Sequence, residues 1–100
     1  MNKTELAYSE YLEQERLQGR IARWDYEPEK LKLAPHTFYS PDFRIIRPDG
    51  TIEFHESKGF WEDDARVKIK IAAALHPYKF FAAKRKKKAD GGGWNLTAID

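Results

Sequence analysis

A turn signal near the middle of the chain constrains the fold most strongly. Residues 47–51 are RPDGT, and they separate two segments rich in strand-forming residues, 38–46 and 51–58. Proline presets the first turn position, and glycine accepts the left-handed conformation that closes a three-residue hairpin loop. We therefore predict a β-hairpin whose loop consists of residues 48–50.

The loop length determines which residues of the hairpin face each other. If the loop has three residues, Arg47 pairs with Thr51, and counting back along both strands places Asp42 opposite Glu56. Because side chains alternate between faces, Asp42, Glu56 and Lys58 then project from one side of the sheet. A two-residue loop would place the two carboxylates on opposite faces. The proline favours the longer loop, because it suits the first turn position and cannot donate to a strand ladder.

Two carboxylates that face each other across a ladder predict a metal site. Their Cβ atoms would lie about 5 Å apart, where like charges are destabilising, and a divalent cation would remove that cost. The chain has no cysteine, and its three histidines are widely spaced, at positions 36, 55 and 76. A thiolate site is therefore excluded, and a histidine zinc site is disfavoured. Carboxylate and water ligands suit one or two Mg²⁺ or Mn²⁺ ions.

The segment before the hairpin predicts a helix followed by strand structure. Residues 4–18 form the helix, with Thr4 as N-cap and Gly19 at its end. Its apolar side consists of Leu6, Tyr8, Tyr11 and Leu12. Residues 21–33 alternate loosely and predict a first strand, which is either continuous or broken in two at Pro28.

The segment after the hairpin predicts a second helix and two strands. Residues 61–75 form a helix with acidic residues at its start, where they favour the helix dipole. Its expected buried stripe is Val67, Ile71, Ala74 and Leu75. Residues 78–83 predict a buried strand parallel to its neighbour, and 89–93 form a flexible glycine loop. A short strand from Trp94 follows at an edge of the sheet.

The predicted element order is α-β-β-β-α-β-β over a single domain that spans residues 1–100. The fold class is α/β, with a mixed central sheet of about four to five strands flanked by helices. No apolar run is long enough to span a membrane, and the polar N-terminus does not resemble a signal peptide. We therefore expect a cytoplasmic protein without a membrane partner.

Charge is distributed unevenly along the chain. Residues 1–50 hold eight Lys and Arg against nine Asp and Glu, whereas residues 51–100 hold ten against seven. Between residues 66 and 88 there are nine Lys and Arg and no Asp or Glu, which is typical of a nucleic-acid-binding surface. The candidate DNA contacts are Arg66, Lys68, Lys70, Lys84, Arg85, Lys86, Lys87 and Lys88. Alternatively, these side chains are only solvated, with 84–88 forming a surface loop rather than a mobile arm along DNA.

The acidic hairpin resembles the PD-(D/E)xK nuclease superfamily. The matching residues are Pro41-Asp42 and Glu56-Ser57-Lys58, followed by Gly59, and the α-β-β-β-α-β order matches that core over nearly the whole chain. The chain is also similar to small phage-encoded members of the endonuclease I type of Holliday junction resolvase. The segments that support this second likeness are Gly19-Arg20-Ile21, Tyr26-Glu27-Pro28 and Pro41-Asp42-Phe43.

The resemblance implies roles for residues around the hairpin. It implies a further carboxylate from the first helix, for which Glu5 is the best match and Glu10 the alternative. Glu5 can instead act only as a stabiliser of the helix N-terminus. The backbone carbonyl of Ser57 is an additional candidate metal ligand. Lys58 would orient or deprotonate the attacking water, and its alternative role is a simple ion pair with Glu56.

The function implied by the resemblance is a metal-dependent endodeoxyribonuclease acting on branched or Holliday junction DNA. A homodimer is expected, because a domain of this size buries little area and paired cuts need two sites. The rival interpretations are a non-catalytic nucleic-acid-binding module and a small protein that binds a host factor. Phe60 and Trp61 are candidates to stack on bases or to wedge a junction, or they close the core.

Overall fold

A mixed five-stranded sheet forms the centre of the protein. The computed structural model describes residues 1–58 and 61–100. In chain order the elements are α1 (Lys3–Leu17), β1 (Arg23–Tyr26), β2 (Leu31–Ala34), β3 (Thr37–Tyr39), β4 (Phe43–Ile46), β5 (Ile52–Ser57), α2 (Asp63–Leu75), β6 (Lys79–Arg85), a 3-10 turn (Lys88–Asp90) and β7 (Trp94–Ile99). The main sheet has the order β1-β4-β5-β6-β7, and β2 and β3 form a separate pair. The α/β class is confirmed. Gly59 and Phe60, to which the sequence assigned a strand end and a stacking role, lie outside the described residues.

The N-cap of helix α1 lies two residues before the predicted one. Asn2, not Thr4, is the N-cap: its side chain accepts a hydrogen bond from the Glu5 backbone N–H, and the Glu5 carboxylate accepts one from the Asn2 backbone N–H, each at 2.8 Å. This reciprocal capping box satisfies two N–H groups that would otherwise lack partners. The helix ends as predicted at Gly19, whose φ of 79° allows the left-handed cap conformation.

Five strands lie between the two helices, where the predicted order had three. The segment 21–33 is broken around Pro28 into β1 and β2, which belong to different sheets. The segment 38–46 is broken in the same way around Pro41 into β3 and β4. Proline cannot donate to a ladder, so the chain leaves the main sheet at both positions. Strands β2 and β3 then pair with each other, with Leu31 opposite Tyr39.

The β4–β5 hairpin has the predicted register. Phe43 pairs with His55 and Ile46 with Ile52. The Arg47 backbone N–H donates to the Thr51 carbonyl at 2.9 Å, and the Gly50 N–H donates to the Arg47 carbonyl at 2.9 Å. The loop therefore has three residues, and the predicted turn chemistry is confirmed.

Helix α2 is the crossover that connects β5 to a parallel neighbouring strand. β6 pairs in parallel with β5, as predicted, with Phe54 opposite Phe80 and Glu56 opposite Ala82. β7 pairs antiparallel with β6 and lies at the edge of the sheet, also as predicted. This connection brings the C-terminal half of the chain next to Glu56.

Helix α2 buries a different face from the predicted one. Ile69 and Ala72 are buried, whereas the predicted stripe is exposed, with exposed fractions of 54% for Val67, 40% for Ile71 and 57% for Leu75. The helix carries two apolar stripes, and a period of 3.6 residues cannot tell which of them meets the sheet. Packing against β2, β3 and β6 decides this.

Two apolar clusters cover the two faces of the main sheet. The cluster on the α1 side contains Tyr8, Leu12, Ile21, Phe43, Ile45 and Ala83. The cluster on the α2 side contains Leu31, Tyr39, Phe54, Ile69, Ala72 and Phe80. Within the described residues, neither helix has the length and apolar character needed to cross a membrane.

Candidate active site

Asp42 and Glu56 meet at the end of the β4–β5 hairpin. The last recorded pair of the ladder is Phe43 with His55, and the next position in the same register places Asp42 opposite Glu56. Both side chains are buried, since only 8% of Asp42 and 4% of Glu56 is exposed. The hairpin thus brings together two carboxyl groups that are fourteen residues apart in the sequence.

Hydrogen bonds hold this carboxyl pair in place. The Asp42 backbone N–H donates to Glu56 Oε1 at 3.1 Å, and the Ser57 backbone N–H donates to Asp42 Oδ2 at 3.0 Å. The Tyr39 hydroxyl donates to Glu56 Oε1 at 2.7 Å. Each side chain is therefore anchored by the backbone of the opposite segment, which fixes its orientation.

The protonation of the pair is shifted by burial and by its own proximity. Burial, and after it the neighbouring Asp42 carboxylate, raise the pKa of Glu56 to about 7. Burial also raises the pKa of Asp42, and the positive charge of Lys58 opposes that rise. Near neutral pH the pair therefore holds a proton readily, and a bound cation would compete with that proton.

Lys58 lies at the open side of the pair. Its Nζ is 3.7 Å from Glu56 Oε2, and 37% of its side chain is exposed. The ion pair that sequence analysis gave as an alternative is therefore present. The same position leaves the ammonium group accessible to a ligand that approaches the carboxylates.

Glu5 caps its helix and also acts on the pair electrostatically. Its carboxylate accepts hydrogen bonds from the Asn2 backbone and, at 3.2 Å, from the Tyr26 hydroxyl. Its charge contributes to the raised pKa of Asp42. Among residues 1–58 and 61–100, however, no three acidic or histidine side chains form a cluster able to hold a metal ion. Glu5 is thus a neighbour of the pair, its role as a third ligand stays a prediction, and Glu10 is exposed.

The two carboxylates suit a Mg²⁺ or Mn²⁺ ion that has protein ligands on one side and other ligands on its remaining positions. Magnesium keeps several waters and commonly uses one or two carboxylates together with substrate phosphates. Asp42 and Glu56, which are both buried, supply such a pair. The residues present therefore suit a metal that completes its coordination with water and phosphate oxygens.

Most of the candidate DNA-contacting residues line one of two cavities, and Lys84 lines both. Arg66, Lys70 and Lys84 line one cavity of about 310 Å³. A second cavity of about 340 Å³ lies along the β6–β7 turn and is lined by Lys84, Arg85, Lys86, Lys87, Asp90 and Asn95. Lys68 lines neither of these cavities, because helix positions two residues apart point in different directions.

The predicted mobile arm is instead part of a closed hairpin. Lys84 and Arg85 belong to β6, and the guanidinium of Arg85 lies 5.7 Å from the ring centre of Trp94. The Lys86 backbone N–H donates to the Gly93 carbonyl at 2.9 Å, and Lys88 begins the 3-10 turn. The tract therefore presents its charges from an ordered turn.

Tyr39 belongs to the site, although it was not predicted to. Its hydroxyl reaches Glu56 only because the chain turns at residues 40–42 and folds β3 back over the α2-side face. The proline at position 41 marked that turn, but nothing in the sequence indicated its direction.

His55 faces away from the carboxylates, as predicted, and contacts Tyr8 of α1.

No protein-family model matches the sequence, and no match was found among curated proteins or solved structures. The function of the chain therefore has to be inferred from the chemistry of its own residues.

Proposed function

We propose that the protein is a metal-dependent endonuclease that hydrolyses phosphodiester bonds of DNA, with branched or Holliday junction DNA as its substrate class. The observation that supports this proposal is the buried Asp42–Glu56 pair with Lys58 at its open side. A buried pair of like charges costs stability. A bound cation would offset that cost, which supports a functional role for the pair.

Each residue of the pair has a role in this proposal. Asp42 and Glu56 would hold one or two Mg²⁺ ions, whose bound form supplies phosphate polarisation and an activated water. Lys58 would offset negative charge that develops on the phosphate and orient the nucleophile. The Tyr39 hydroxyl and the Asp42 N–H keep Glu56 Oε1 oriented, so that Oε2 remains directed towards Lys58.

DNA is proposed as the polymer because a cavity on the α2 side, one strand away from Glu56, carries three cationic side chains. Arg66, Lys70 and Lys84 are available to contact backbone phosphates, which position a duplex without reading its sequence. A non-catalytic binding module would use the same basic residues, and it is the second candidate. The two candidates differ in whether the carboxyl pair is needed for a chemical step.

Cleavage assays test the proposal directly. Wild-type protein is incubated with supercoiled, branched and single-stranded DNA, with and without Mg²⁺ or Mn²⁺. We expect metal-dependent cutting by the wild type, and binding without cutting by Asp42→Asn and Lys58→Ala. Lys32→Gln, which changes an exposed lysine of β2, is the matched control and should cut normally. Unchanged cleavage by both site variants would contradict the assignment, and no cleavage on any substrate would favour the binding module.

We also propose a homodimer formed through the exposed stripe of α2. A two-fold axis near Ile71 would place Val67 of one copy against Leu75 of the second copy, so the stripe is self-complementary. The self-complementary apolar stripe thus favours a second copy of this chain as the occupant of this face.

A further inference from the structure

A cavity between α2 and the β6–β7 edge lies next to the carboxyl pair. It has a volume of about 310 Å³, at the lower end of the roughly 300–1,000 Å³ typical of small-ligand sites. Its walls are formed by Trp61, Ile69, Ala82, Thr97 and Ile99, and its rim carries Arg66, Lys70 and Lys84.

The cavity begins one strand away from Glu56. Ala82, which lines the cavity, is paired with Glu56 in the parallel β5–β6 ladder. Neighbouring strands lie about 4.8 Å apart, and paired residues project from the same face. Lys84 lies two residues further along β6 and therefore shares that face. The carboxyl pair and the cavity are therefore separated by the spacing of one strand.

The lining of the cavity combines an aromatic wall with positive charge. The lining residues include the Trp61 indole and three cationic side chains, but no acidic residue. In the part of the chain that the structure describes, no salt bridge joins Arg66, Lys70 or Lys84 to an acidic side chain. Such a surface complements a ligand that has both a flat ring and negative charge, which are the two parts of a nucleotide.

We propose that this cavity binds an unpaired nucleotide of the DNA strand that occupies the carboxyl pair. The base stacks against Trp61, and its phosphates contact Arg66, Lys70 and Lys84. A base that is paired within a duplex cannot enter the cavity, so the site selects DNA with unpaired nucleotides, such as branch points and single strands. This inference rests on the proposed nuclease function and adds the feature that determines its substrate class.

A binding experiment without metal ions tests nucleotide binding by the cavity independently of DNA cleavage. The probes are a fluorescein-labelled thymidine oligonucleotide of about ten nucleotides, which is within the range that single-strand sites cover, and an abasic oligonucleotide of equal length and charge. Fluorescence anisotropy in EDTA measures both affinities. We expect the wild type to bind the thymidine oligonucleotide about 5- to 150-fold more tightly, as base–aromatic stacking predicts.

Variants of the cavity residues test whether that preference arises in the cavity. Trp61→Leu keeps an apolar side chain in the wall but removes the aromatic face, and it should bring the two affinities close to equal. Trp61→Phe should restore most of the preference. Arg66→Gln and Lys84→Gln should weaken both oligonucleotides alike and reduce the salt dependence of binding. Lys32→Gln, remote from the cavity, should bind as the wild type does.

The outcomes distinguish this inference from the proposed function. Equal wild-type affinities, or a full preference retained in Trp61→Leu, would overturn the nucleotide site even if Mg²⁺-dependent cleavage is found. A preference that depends on Trp61 would support the site even if no cleavage occurs. If Trp61→Leu does not fold, Trp61→Met, which also keeps an apolar side chain without an aromatic ring, gives the same decision, because a site elsewhere would leave the preference unchanged.

Discussion

Asp42 and Glu56 are hydrogen-bonded across the end of the hairpin, because the Asp42 backbone N–H donates to Glu56 Oε1 at 3.1 Å. Hydrogen bonds from the main chain therefore fix the positions of the two carboxyl groups. Two acidic groups in a buried site cannot both ionise without cost. This relationship has consequences for stability, for metal binding and for the dependence of both on pH.

Replacing Glu56 should change how stability depends on pH. The pKa of Glu56 is raised to about 7 from an ordinary value of 4.5, so the folded protein binds more protons than the unfolded chain between those values. Stability from this group is fully present below about pH 4.5 and is lost as the pH rises through about 7. Glu56→Gln should remove this decline, which is worth on the order of 3 kcal/mol. Urea unfolding of both proteins between pH 4.5 and 8 measures it, and parallel curves would contradict the prediction.

Magnesium should stabilise the folded protein above neutral pH. Ions bound by Asp42 and Glu56 favour the folded state by mass action, about 1.4 kcal/mol at ten times the dissociation constant. For a domain of this size that corresponds to a rise in Tm of several degrees. Thermal unfolding at pH 8 should show the rise with MgCl₂ but not with NaCl of equal ionic strength. Asp42→Asn should show no such rise; an equal rise in this variant would place the ion elsewhere.

A buried network on the other face of β5 should be important for stability but not for catalysis. Glu53 accepts a bidentate pair of hydrogen bonds from Arg47, at 2.9 and 3.0 Å, and a further one of 2.9 Å joins it to His55. Burial alone would raise the pKa of Glu53, but hydrogen bonds from His55 and Arg47 outweigh burial and lower it to about 2. The stability it contributes is present above about pH 4.5 and is lost as the pH falls towards 2.

Glu53→Gln should therefore destabilise the protein by about 3 kcal/mol at pH 7, because it leaves the Arg47 guanidinium without its buried partner. Glu29→Gln, which breaks an exposed pair with Arg44, is the matched control and should cost less than 1 kcal/mol. Chemical denaturation measures both values. Cleavage per folded molecule should stay unchanged in Glu53→Gln, and a selective loss of activity would assign this network to the chemistry.

The exposed stripe of α2 should mediate self-association. Ile71→Glu places a charge at the proposed two-fold axis, where two copies would repel each other. Analytical ultracentrifugation should show a dimer for the wild type and a monomer for Ile71→Glu. Lys68→Glu changes charge on the same helix without altering the apolar stripe, and it should remain dimeric. A monomeric wild type, or a dimeric Ile71→Glu variant, would exclude this interface.

The β4–β5 hairpin was predictable because its determinants are local. Pro48 and Gly50 select one turn length, and turn length alone sets which residues face each other. That register alone places Asp42 opposite Glu56, whatever the other elements do. The α2 crossover and the edge position of β7 were also predictable from strand patterns and a helix between them.

The break in the strand at Pro41 is marked in the sequence by the proline itself, but the path of the chain beyond it was not predictable. A proline indicates that a ladder is interrupted, but it does not indicate where the chain goes next. The fold of β3 over the sheet, which brings Tyr39 to Glu56, depends on pairing with β2 and on packing against Phe80. These are long-range contacts, and a single sequence does not contain their geometry.

The sequence by itself determined the hairpin, its register and the meeting of two carboxyl groups, because turn geometry depends on neighbouring residues. Only the tertiary structure decided which stripe of α2 is buried and that Trp61 lies beside three cations next to Glu56. It also decided that the carboxyl pair is buried enough to shift its pKa values. Burial and desolvation depend on which surfaces pack together across the whole chain, so they are properties of the assembled fold.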